Sequence, residues 1–418
     1  MKSYSQAIKI LKKSIITIGN EKIKSSESLN RVTATNIYLK ENYPLADNSS
    51  FDGYAIRSID TKNLSKSRKK LFKILGSIAA GDKPNNLKTK KFQTFEIMTG
   101  GLIPKGFDTI IPKENVSLYP NKKNPKYLYI NKVIKKNKNI RTKGSDYKKN
   151  DLVIKKGTIF KSNHILALKT LGIEYVKVKK IPNILFFSTG NEISNNKKIP
   201  NWKVRNSNTH YIQSLDKNFL FNFNYGGTLR DKDELVLKKE IKKLLTSKID
   251  IIVTSGAVSA GKFDYIPLII KKFKLSGYFK NIAIRPGKPI LFAKFKGKQK
   301  AFFGLPGNPI SSVACFRFFV YKFLQESLDM KVEKPIKAIL KNNFSKQINF
   351  TRFVKSRCNT TKNGKLEVEI LKGQESFKIQ PFLKSNIWTV LPSGKSKFKK
   401  NEIVDCFLPN HPNKIFAL

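Results

Sequence analysis

Apolar positions near the start of the chain recur at the spacing of an α-helix. The pattern predicts an amphipathic helix over residues 4–18, whose apolar face consists of Tyr4, Ala7, Ile8, Leu11 and Ile15. Such a helix is marginally stable alone, because another element has to remove its apolar face from water. We therefore expect it to pack on a later part of the chain.

Residues 44–129 have the pattern of a β-rich module. Pro44–Gly53 is rich in the loop-forming residues Pro, Asp, Asn, Ser and Gly, and it leads into the extended segment Tyr54–Ile56. Short apolar runs separated by Gly and Pro turns follow it. These runs predict strands at Phe72–Leu75, Phe95–Met98 and Thr109–Ile111.

From about residue 178, compact apolar runs alternate with helical patterns. The runs, each followed by a Gly-rich turn, are Ile184–Phe187, Ile249–Val253 and Ala301–Phe303. A helical pattern between them contains Leu237, Ile241, Leu244 and Leu245. This alternation predicts a mostly parallel sheet flanked by helices, and ligands of such α/β sheets bind beyond the carboxyl ends of the strands.

The chain from about Val332 alternates short apolar runs with turns, which predicts a separate C-terminal β-domain. The runs are Phe350–Val354, Leu366–Ile370, Ile387–Val390 and Ile403–Phe407. A length of 418 residues exceeds what one core usually serves, so about two to four domains are expected. The predicted fold class is therefore multi-domain, with a central α/β domain and β-rich modules.

The charge of the chain is strongly positive. Its 82 Lys and Arg against 29 Asp and Glu give a formal net charge of +53, which makes nucleic-acid binding one hypothesis. However, lysine is abundant in ordinary loops, follows no stripe and does not alternate with aromatic residues as a stacking surface requires. We favour a compositional origin for the charge.

The cysteines and the apolar runs point to a cytoplasmic protein. Cys315, Cys358 and Cys406 form neither a CxxC pair nor a metal-ligand spacing, which fits a reducing compartment. The first residues lack the apolar core of a secretion signal, and no run of about 18 apolar residues occurs. We therefore expect neither secretion nor membrane insertion.

Three Gly-rich loops follow the predicted parallel strands and are candidates for holding a small anionic, nucleotide-like ligand. They are Ser188–Glu192, Ser255–Asp264 and Leu305–Pro309. Glycine lets backbone N–H groups approach an anion, and Asn308 with Pro309 suits the start of a buried helix whose N-terminus favours an anion. One such loop is more often a structural turn, but three in one predicted domain favour a binding site.

Charged residues accompany these loops. Glu192 and Asp264 have carboxylates of the kind that hold Mg²⁺ beside a phosphate. Arg285 and Lys288 lie in a Pro/Gly frame that suits an oxyanion. Asp231 fits the N-cap of a helix, a structural alternative to a functional role.

The histidines indicate no catalytic or metal site. His164, His210 and His411 are isolated in the sequence. Neither a zinc site nor a Ser-His-Asp triad therefore has support.

The ordered set of motifs resembles the MoeA family of molybdopterin molybdenumtransferases, whose eukaryotic relative is the E domain of gephyrin. The segments that carry the resemblance are Asp47–Ala55, Ile97–Gly100, the three Gly-rich loops and Pro286–Pro289. They occur in the family's order between about Pro44 and Ser376, so the resemblance covers nearly the whole chain.

The resemblance implies a reaction in which adenylylated molybdopterin and molybdate, with Mg²⁺, yield molybdenum cofactor and AMP. It also implies an elongated four-domain homodimer in the cytoplasm, an active site shared between subunits, and contact with the molybdopterin adenylyltransferase. The expected domains are a molybdopterin-binding α/β domain (1–25 and 178–328), a connecting and dimerisation domain (26–48 and 140–177), a β-rich inserted domain (49–139) and a C-terminal β-domain (329–418).

The family's functional positions fall on residues of this chain. The catalytic residues would be Asp52, Thr99, Asp146, Glu192, Asp231 and Asp264, of which Glu192, Asp231 and Asp264 would hold Mg²⁺. The substrate-binding residues would be Ser188, Thr189, Gly190, Asn208, Ser255, Gly256, Ser259, Gly261, Arg285, Lys288, Pro306, Gly307, Asn308 and Pro309. Lys288, Arg352 and Ser376 would contact molybdate. Both substrates are anions, so cations and N–H groups would gather them while carboxylates hold Mg²⁺.

The chain departs from the family pattern at several positions. Asn191 stands where Asp is usual, and this removes a negative charge. Ala257 stands where Gly is usual, which is costly if its φ angle is positive. Asn281 lies near another usual cation, with Lys280 beside it.

Two other function classes stay open at this point. A scaffold or binding module with the same fold is one, because the relationship to gephyrin permits it; the intact carboxylates argue against it. Nucleic-acid binding driven by the positive charge is the other.

Overall fold

The computed structural model describes residues 1–83, 88–216, 220–230, 233–258 and 265–409. The chain forms two compact units, the first of Met1–Thr35, Lys156–Leu166 and Glu174–Leu418 and the second of Asn36–Lys155 and Ala167–Ile173. Within the described ranges, none of the helices has both the length and the apolar character needed to cross a membrane.

The helices are short and lie mainly in the first unit. The α-helices of the described ranges are α1 Tyr4–Lys13, α2 Ser162–Thr170, α3 Ser207–Asp216, α4 Glu234–Leu244, α5 Ile266–Lys271, α6 Pro309–Cys315, α7 Tyr321–Ser327 and α8 Gln380–Lys384. Short 3₁₀ turns occur at Ser25–Glu27, Ser58–Thr61 and Lys113–Asn115. A π-helical stretch, Phe316–Val320, joins α6 to α7.

The strands of the described ranges are numbered in chain order. The first group is β1 Asn20–Lys24, β2 Ile37–Tyr38, β3 Asn48–Ser49, β4 Gly53–Ile56, β5 Lys70–Ile78, β6 Gln93–Ile97, β7 Thr109–Pro112, β8 Ser117–Tyr119, β9 Tyr127–Ile130, β10 Ile140–Arg141, β11 Leu152–Ile154 and β12 Tyr175–Lys179. The second is β13 Asn183–Thr189, β14 Ile193–Ser194, β15 Val204–Arg205, β16 Asn222–Leu229, β17 Ile251–Ser255, β18 Leu275–Lys280, β19 Ile284–Arg285, β20 Leu291–Phe295 and β21 Ala301–Leu305. The third is β22 Ile336–Leu340, β23 Phe344–Ser345, β24 Thr351–Thr360, β25 Leu366–Ile370, β26 Ile387–Leu391, β27 Lys397–Phe398 and β28 Ile403–Phe407.

Helix α1 begins as its sequence predicts but ends earlier. Ser3 and Gln6 form a capping box at its start, and Ala7 and Leu11 are buried on its packed face. The predicted extension to residue 18 is wrong. After Lys13, buried residues such as Ile16 and Ile18 alternate with exposed ones, as in an extended chain. The β-branched residues of this segment disfavour a helix.

The start of helix α4 also differs from the prediction. Its N-cap residue is Asp233, whereas the sequence pattern placed the cap at Asp231, a residue outside the described ranges. The Asp233 carboxylate accepts a hydrogen bond from the Arg230 backbone N–H at 2.6 Å instead of capping the helix.

The central α/β sheet has the strand order β16-β13-β17-β21-β20-β18. Strands β16, β13, β17 and β21 run parallel, whereas β20 and β18 are antiparallel additions at one edge. Strands β17, β20 and β21 are buried along their whole length, as expected for a sheet covered on both faces. The predicted mostly parallel sheet is thus confirmed.

The C-terminal β-domain closes on itself. Its strand order is β19-β24-β25-β22-β28-β26, and an additional pairing of β24 with β26 joins the two ends of the series β24 to β26. Closure pairs the backbone N–H and carbonyl groups that the edge strands of an open sheet would expose. Strand β19 comes from the α/β part of the chain and adds itself in parallel to β24.

The continuous helix from α6 to α7 packs the α/β sheet against this β-domain. The Phe318 ring stacks on Phe353 of β24 with centroids 4.2 Å apart and meets Trp388 edge-on. On the sheet side, Phe323 packs against Phe303 with centroids 5.4 Å apart. Aromatic pairs of this kind contribute beyond simple area burial, so the helix holds both sheets in one core.

The second unit contains a six-stranded sheet in the order β7-β4-β6-β5-β9-β8. Its predicted strands are confirmed, since β4, β5 and β7 cover the apolar runs named from the sequence and β6 covers the run Phe95–Met98 up to Ile97. Gly53 begins β4 where the neighbouring strand β7 comes close. A Cβ at Gly53 would lie 2.2 Å from the carbonyl oxygen of Ile111, so the register leaves no room for a side chain.

Replacement of Gly53 by alanine tests this close approach. Gly53→Ala is expected to lower the free energy of unfolding by about 1–3 kcal/mol, because backbone atoms cannot move aside as a flexible side chain can. Chemical denaturation measures it. The matched control is Gly19→Ala, where the nearest atom is the Lys180 Cδ at 3.5 Å and little change is expected. Equal losses in the two variants would contradict the steric explanation.

Candidate active site

The three Gly-rich loops meet at the carboxyl ends of neighbouring strands of the α/β sheet. They follow β13, β17 and β21, which are parallel neighbours. The Gly256 N–H donates to the Leu305 carbonyl at 2.8 Å, and the Thr189 hydroxyl donates to the Ser255 carbonyl at 2.9 Å. The described parts of the loops therefore lie together, as the strand pattern predicts.

Asn208 links the second and third loops. It lies in the first turn of α3, and its side-chain amide donates to the Ser255 hydroxyl at 2.6 Å and to the Gly307 carbonyl at 2.9 Å. The Ser255 hydroxyl also approaches the Pro306 carbonyl at 3.4 Å. Asn208, Ser255, Pro306 and Gly307 thus form one connected wall of the site.

Ser188 and Thr189 support the loops from below. Both are 2% exposed. The Ser188 hydroxyl hydrogen-bonds Asn206 and Thr209, each at 2.8 Å. Because protein groups already engage both hydroxyls, the surface of this loop is left to Gly190 and the residues after it.

Glycine is required at two points of the loops. Gly190 has φ +127°, and a Cβ there would lie 2.3 Å from Glu192 Oε2. Gly256 has φ +108°, and a Cβ there would lie 2.4 Å from the Thr189 hydroxyl oxygen. The absent side chain of Gly190 therefore makes room for the exposed Glu192 carboxylate.

The third loop leads into helix α6 as predicted. Pro309 is its first residue, and the Asn308 carbonyl accepts from the Ser312 N–H at 2.9 Å. The Asn308 side chain, however, does not cap the helix. Its amide donates to the Ser376 hydroxyl of the β-domain at 3.2 Å, so Ser376 lies at the mouth of this loop.

Two arginines lie opposite each other in neighbouring strands of the β-domain sheet. Arg285 of β19 lies opposite Arg352 of β24 in the parallel pairing. Burial lowers the pKa of Arg352, the charge of Arg285 lowers it further, and Glu375 opposes the shift. The buried Nε of Arg352 has no hydrogen-bond partner among the described residues.

Lysines add to this positive charge. Burial lowers the pKa of Lys355 to about 8; Glu375 opposes the shift, and the charges of Arg352 and Lys378 reinforce it. Burial, followed by the charge of Arg352, also lowers the pKa of Lys346. Glu375 neutralises this group of cations only in part. An oxyanion bound beside such cations stabilises their charged forms.

Lys288 lies on the turn after Arg285. Its side chain is exposed, while its carbonyl accepts from the Ile282 N–H at 2.9 Å and fixes the backbone. The preceding Gly287 has φ +106°, and a Cβ there would lie 2.4 Å from the Cys315 sulfur. The turn therefore has a set shape, and its cation faces solvent.

The second unit holds the remaining described candidates. The Asp52 carboxylate accepts from the Thr99 N–H at 2.7 Å and from its hydroxyl at 2.8 Å, and these bonds, with a smaller contribution from Lys113, lower the pKa of Asp52. Asp52 is thus held ionised and oriented by Thr99. Asp146 is exposed, and its backbone N–H donates to the Tyr43 carbonyl at 3.2 Å.

Four predicted site residues lie outside the described ranges: Asp231, Ser259, Gly261 and Asp264. Within those ranges, no group of three or more His, Cys, Asp or Glu side chains has a metal-binding arrangement. The proposed Mg²⁺ ligand that the structure describes is the exposed carboxylate of Glu192.

Sequence reasoning missed the residues that hold the loops in place. Asn206 accepts from the Ser188 hydroxyl, Arg230 donates to the Gly190 carbonyl and Lys355 donates to the Glu375 carbonyl, yet each belongs to no motif and no apolar pattern. Their roles depend on strands that become neighbours only in the folded chain.

Ala257 gives a direct test of backbone strain in the second loop. It has φ +52°, the region in which glycine is favoured, as its departure from the family pattern implied. Ala257→Gly is therefore expected to raise the free energy of unfolding by about 0.5–1 kcal/mol. Thermal unfolding measures the gain, and a loss of stability would contradict the strain. Ala301→Gly, in the middle of the sheet, is the control and should destabilise the protein.

The lowered pKa of Lys355 should make the free energy of unfolding depend on pH. Its pKa in the folded chain, about 8, is below the ordinary value of 10.5, so the unfolded chain binds more protons between these values. The contribution of Lys355 to stability therefore rises with pH across about pH 8–10.5. Denaturant unfolding of Lys355→Met should show a smaller rise than the wild type. The exposed control Lys362→Met should retain the wild-type slope, and a Lys355→Met slope equal to it would contradict the assignment.

Comparison with known families agrees with this geometry. A family described as the MoeA N-terminal region (domain I and II) matches residues 2–172, and a family described as a probable molybdopterin binding domain matches residues 186–326. The second match covers the parallel part of the α/β sheet, apart from the first three residues of β13, and the three loops.

Individual relatives match nearly the whole chain. A protein of Staphylococcus aureus strain COL, named molybdopterin molybdenumtransferase, is 33% identical over 397 residues, which are 94% of this chain and 91% of that protein. A protein of the same name from Staphylococcus epidermidis RP62A is 31% identical over 97% of this chain and 95% of its own. The crystal structure of the molybdopterin biosynthesis moeA protein from Pyrococcus horikoshii OT3 has a TM-score of 0.82 at 26% identity and covers 98% of this chain and 100% of its own. The chain therefore belongs to the MoeA family of molybdopterin molybdenumtransferases.

Proposed function

We propose that this chain inserts molybdate into adenylylated molybdopterin and releases AMP, the step that completes molybdenum cofactor. The named relatives are transferases of this kind, and the two families that match are those of molybdenum cofactor biosynthesis. The same proposal assigns molybdate to Lys288, Arg352 and Ser376 and the pterin nucleotide to the Gly-rich loops.

The observation that carries the proposal is the partnerless Nε of Arg352. A buried N–H donor without an acceptor is costly, and here it belongs to a cation with Arg285 as its strand neighbour. An oxyanion at this place accepts the hydrogen bond and offsets the repulsion between the two guanidinium groups. Ser376, held by Asn308, supplies a hydroxyl on the side of the third loop.

The loops suit the other substrate. Gly307 is exposed at the carboxyl end of β21, where a phosphate group of a nucleotide is commonly bound, while the N–H groups of Gly190 and Gly256 already donate to the Leu229 and Leu305 carbonyls. Glu192 offers oxygen donors of the kind that Mg²⁺ prefers, with Asp231 and Asp264 as the further proposed ligands. Mg²⁺, when bound there, neutralises charge on the pyrophosphate that is cleaved. Asp52 and Thr99 of the second unit are proposed catalytic residues as well.

The family resemblance extends the proposal to assembly and location. A homodimer and contact with the molybdopterin adenylyltransferase follow from the family alone, whereas a cytoplasmic location is also favoured by the cysteines and the apolar runs of the sequence. The described cysteines are all free and buried, which is compatible with a reducing compartment.

AMP release tests the reaction, and one variant tests the assigned oxyanion site. The purified protein should release AMP from adenylylated molybdopterin when molybdate and Mg²⁺ are present. Arg352→Met should raise the KM for molybdate about 10–100-fold, because it removes a charged hydrogen bond to the anion.

The control is Arg357→Met, an exposed arginine in the same strand, which should leave the KM for molybdate within about twofold of wild type. No AMP above the no-enzyme level would refute the reaction. An unchanged KM in Arg352→Met would refute the assignment of molybdate to this cation.

A further inference from the structure

Arg230 lies at the end of β16 and holds the first Gly-rich loop by its carbonyls. Its Nη1 donates to the carbonyl oxygens of Gly190 at 3.0 Å, Asn191 at 3.3 Å and Ile193 at 3.0 Å. One guanidinium nitrogen thus contacts three acceptors of a single turn. Such an arrangement needs a rigid, always charged donor, which arginine supplies.

The fourth carbonyl of this turn, that of Glu192, is held as well, and the Asn191 carbonyl has a second donor. The Glu192 carbonyl accepts from the Val204 N–H at 2.9 Å, and the Lys203 ammonium donates to the Asn191 carbonyl. A peptide unit in the turn cannot rotate without breaking one of these bonds. The turn from Gly190 to Ile193 is therefore defined on its carbonyl side by groups outside it.

The shape of this turn determines where the Glu192 carboxylate lies. A Cβ on Gly190 would be 2.3 Å from Glu192 Oε2 and 2.5 Å from Oε1, so the carboxylate lies close against the Gly190 Cα. Rotation of the peptide that precedes Glu192 would move that carboxylate. Arg230 contacts the carbonyls on both sides of Glu192, and it therefore acts on the carboxylate through the backbone.

Arg230 is itself fixed by the neighbouring segments. Its N–H donates to Asp233 Oδ2 at 2.6 Å, and its carbonyl accepts from the Tyr265 hydroxyl at 3.2 Å. Asp231 follows Arg230 in the chain, and Asp264 precedes Tyr265. One residue thus joins the first loop to segments that are next in sequence to both other candidate carboxylates.

We propose that Arg230 is a positioning residue that orients the Glu192 carboxylate by holding the carbonyls of the turn Gly190–Ile193. This role rests on the proposed function in so far as it assigns Glu192 to catalysis. Arg230 has no assigned contact with either substrate. Its effect should therefore appear in kcat and not in the KM for molybdate.

A double-mutant cycle tests whether Arg230 acts through Glu192. Arg230→Gln should lower kcat for AMP release about 10-fold in the wild-type background, the effect common for residues that orient a functional ligand. In the Glu192→Gln background the same change should lower kcat less than about twofold, because the carboxylate it orients is absent. The KM for molybdate should change less than about twofold in each case. Equal effects of Arg230→Gln in the two backgrounds would overturn the proposal.

Hydrogen exchange supplies a readout that does not depend on activity. Backbone amides of residues 189–194 should exchange about 10-fold faster in Arg230→Gln than in the wild type, because the turn loses its carbonyl contacts. The control Arg205→Gln removes a nearby exposed arginine, whose Nη2 donates to the Lys197 carbonyl at 3.1 Å, and should leave these amides unchanged. Unchanged exchange in Arg230→Gln would overturn the proposal even if the wild type releases AMP. Faster exchange in Arg230→Gln, with no AMP released by the wild type, would support the hold on the turn and refute the proposed reaction separately.

Discussion

The parallel pairing of Ile284–Arg285 with Thr351–Arg352 is the contact on which the candidate oxyanion site depends. It joins a turn of the α/β part to the closed β-domain and makes two guanidinium groups strand neighbours. The two like charges repel each other, and burial further disfavours the charged form of Arg352. The surrounding structure tolerates this arrangement because the aromatic core around Phe318 holds the two sheets together.

The Gly-rich loops and the pair Arg285 and Arg352 are candidate sites for two different anions. The Gly-rich loops present backbone at the carboxyl ends of parallel strands, where N–H groups and helix N-termini favour phosphate. The cations beside them favour a compact oxyanion. Asn308 connects the two parts, because its position starts helix α6 while its side chain holds Ser376. The chain thus has both candidate anion sites within its first unit.

Residues inside and outside the family motifs determine how well these parts are ordered. Arg230 holds the Gly190 turn, Asn208 ties the second loop to the third, and Lys355 donates to the carbonyls of Glu375 and Lys378 on either side of Ser376. Each acts on the backbone of a segment distant in sequence. Their contribution lies in geometry, since a loop that bears a functional group is useful only if the group points in one direction.

The sequence by itself determined the three central parallel strands of the α/β sheet, four strands of the β-domain and the start of helix α6, because apolar spacing and turn chemistry are local properties. It made strain at Ala257 conditional on a positive φ angle, which the structure shows. The family motifs identified the loops for the same reason. Only the tertiary structure decided that helix α1 ends at Lys13, that Ser188 is engaged within the protein and that Arg285 adjoins Arg352. Those features depend on which segments meet in space, and pairings between strands far apart in the chain leave no periodic signal in the sequence.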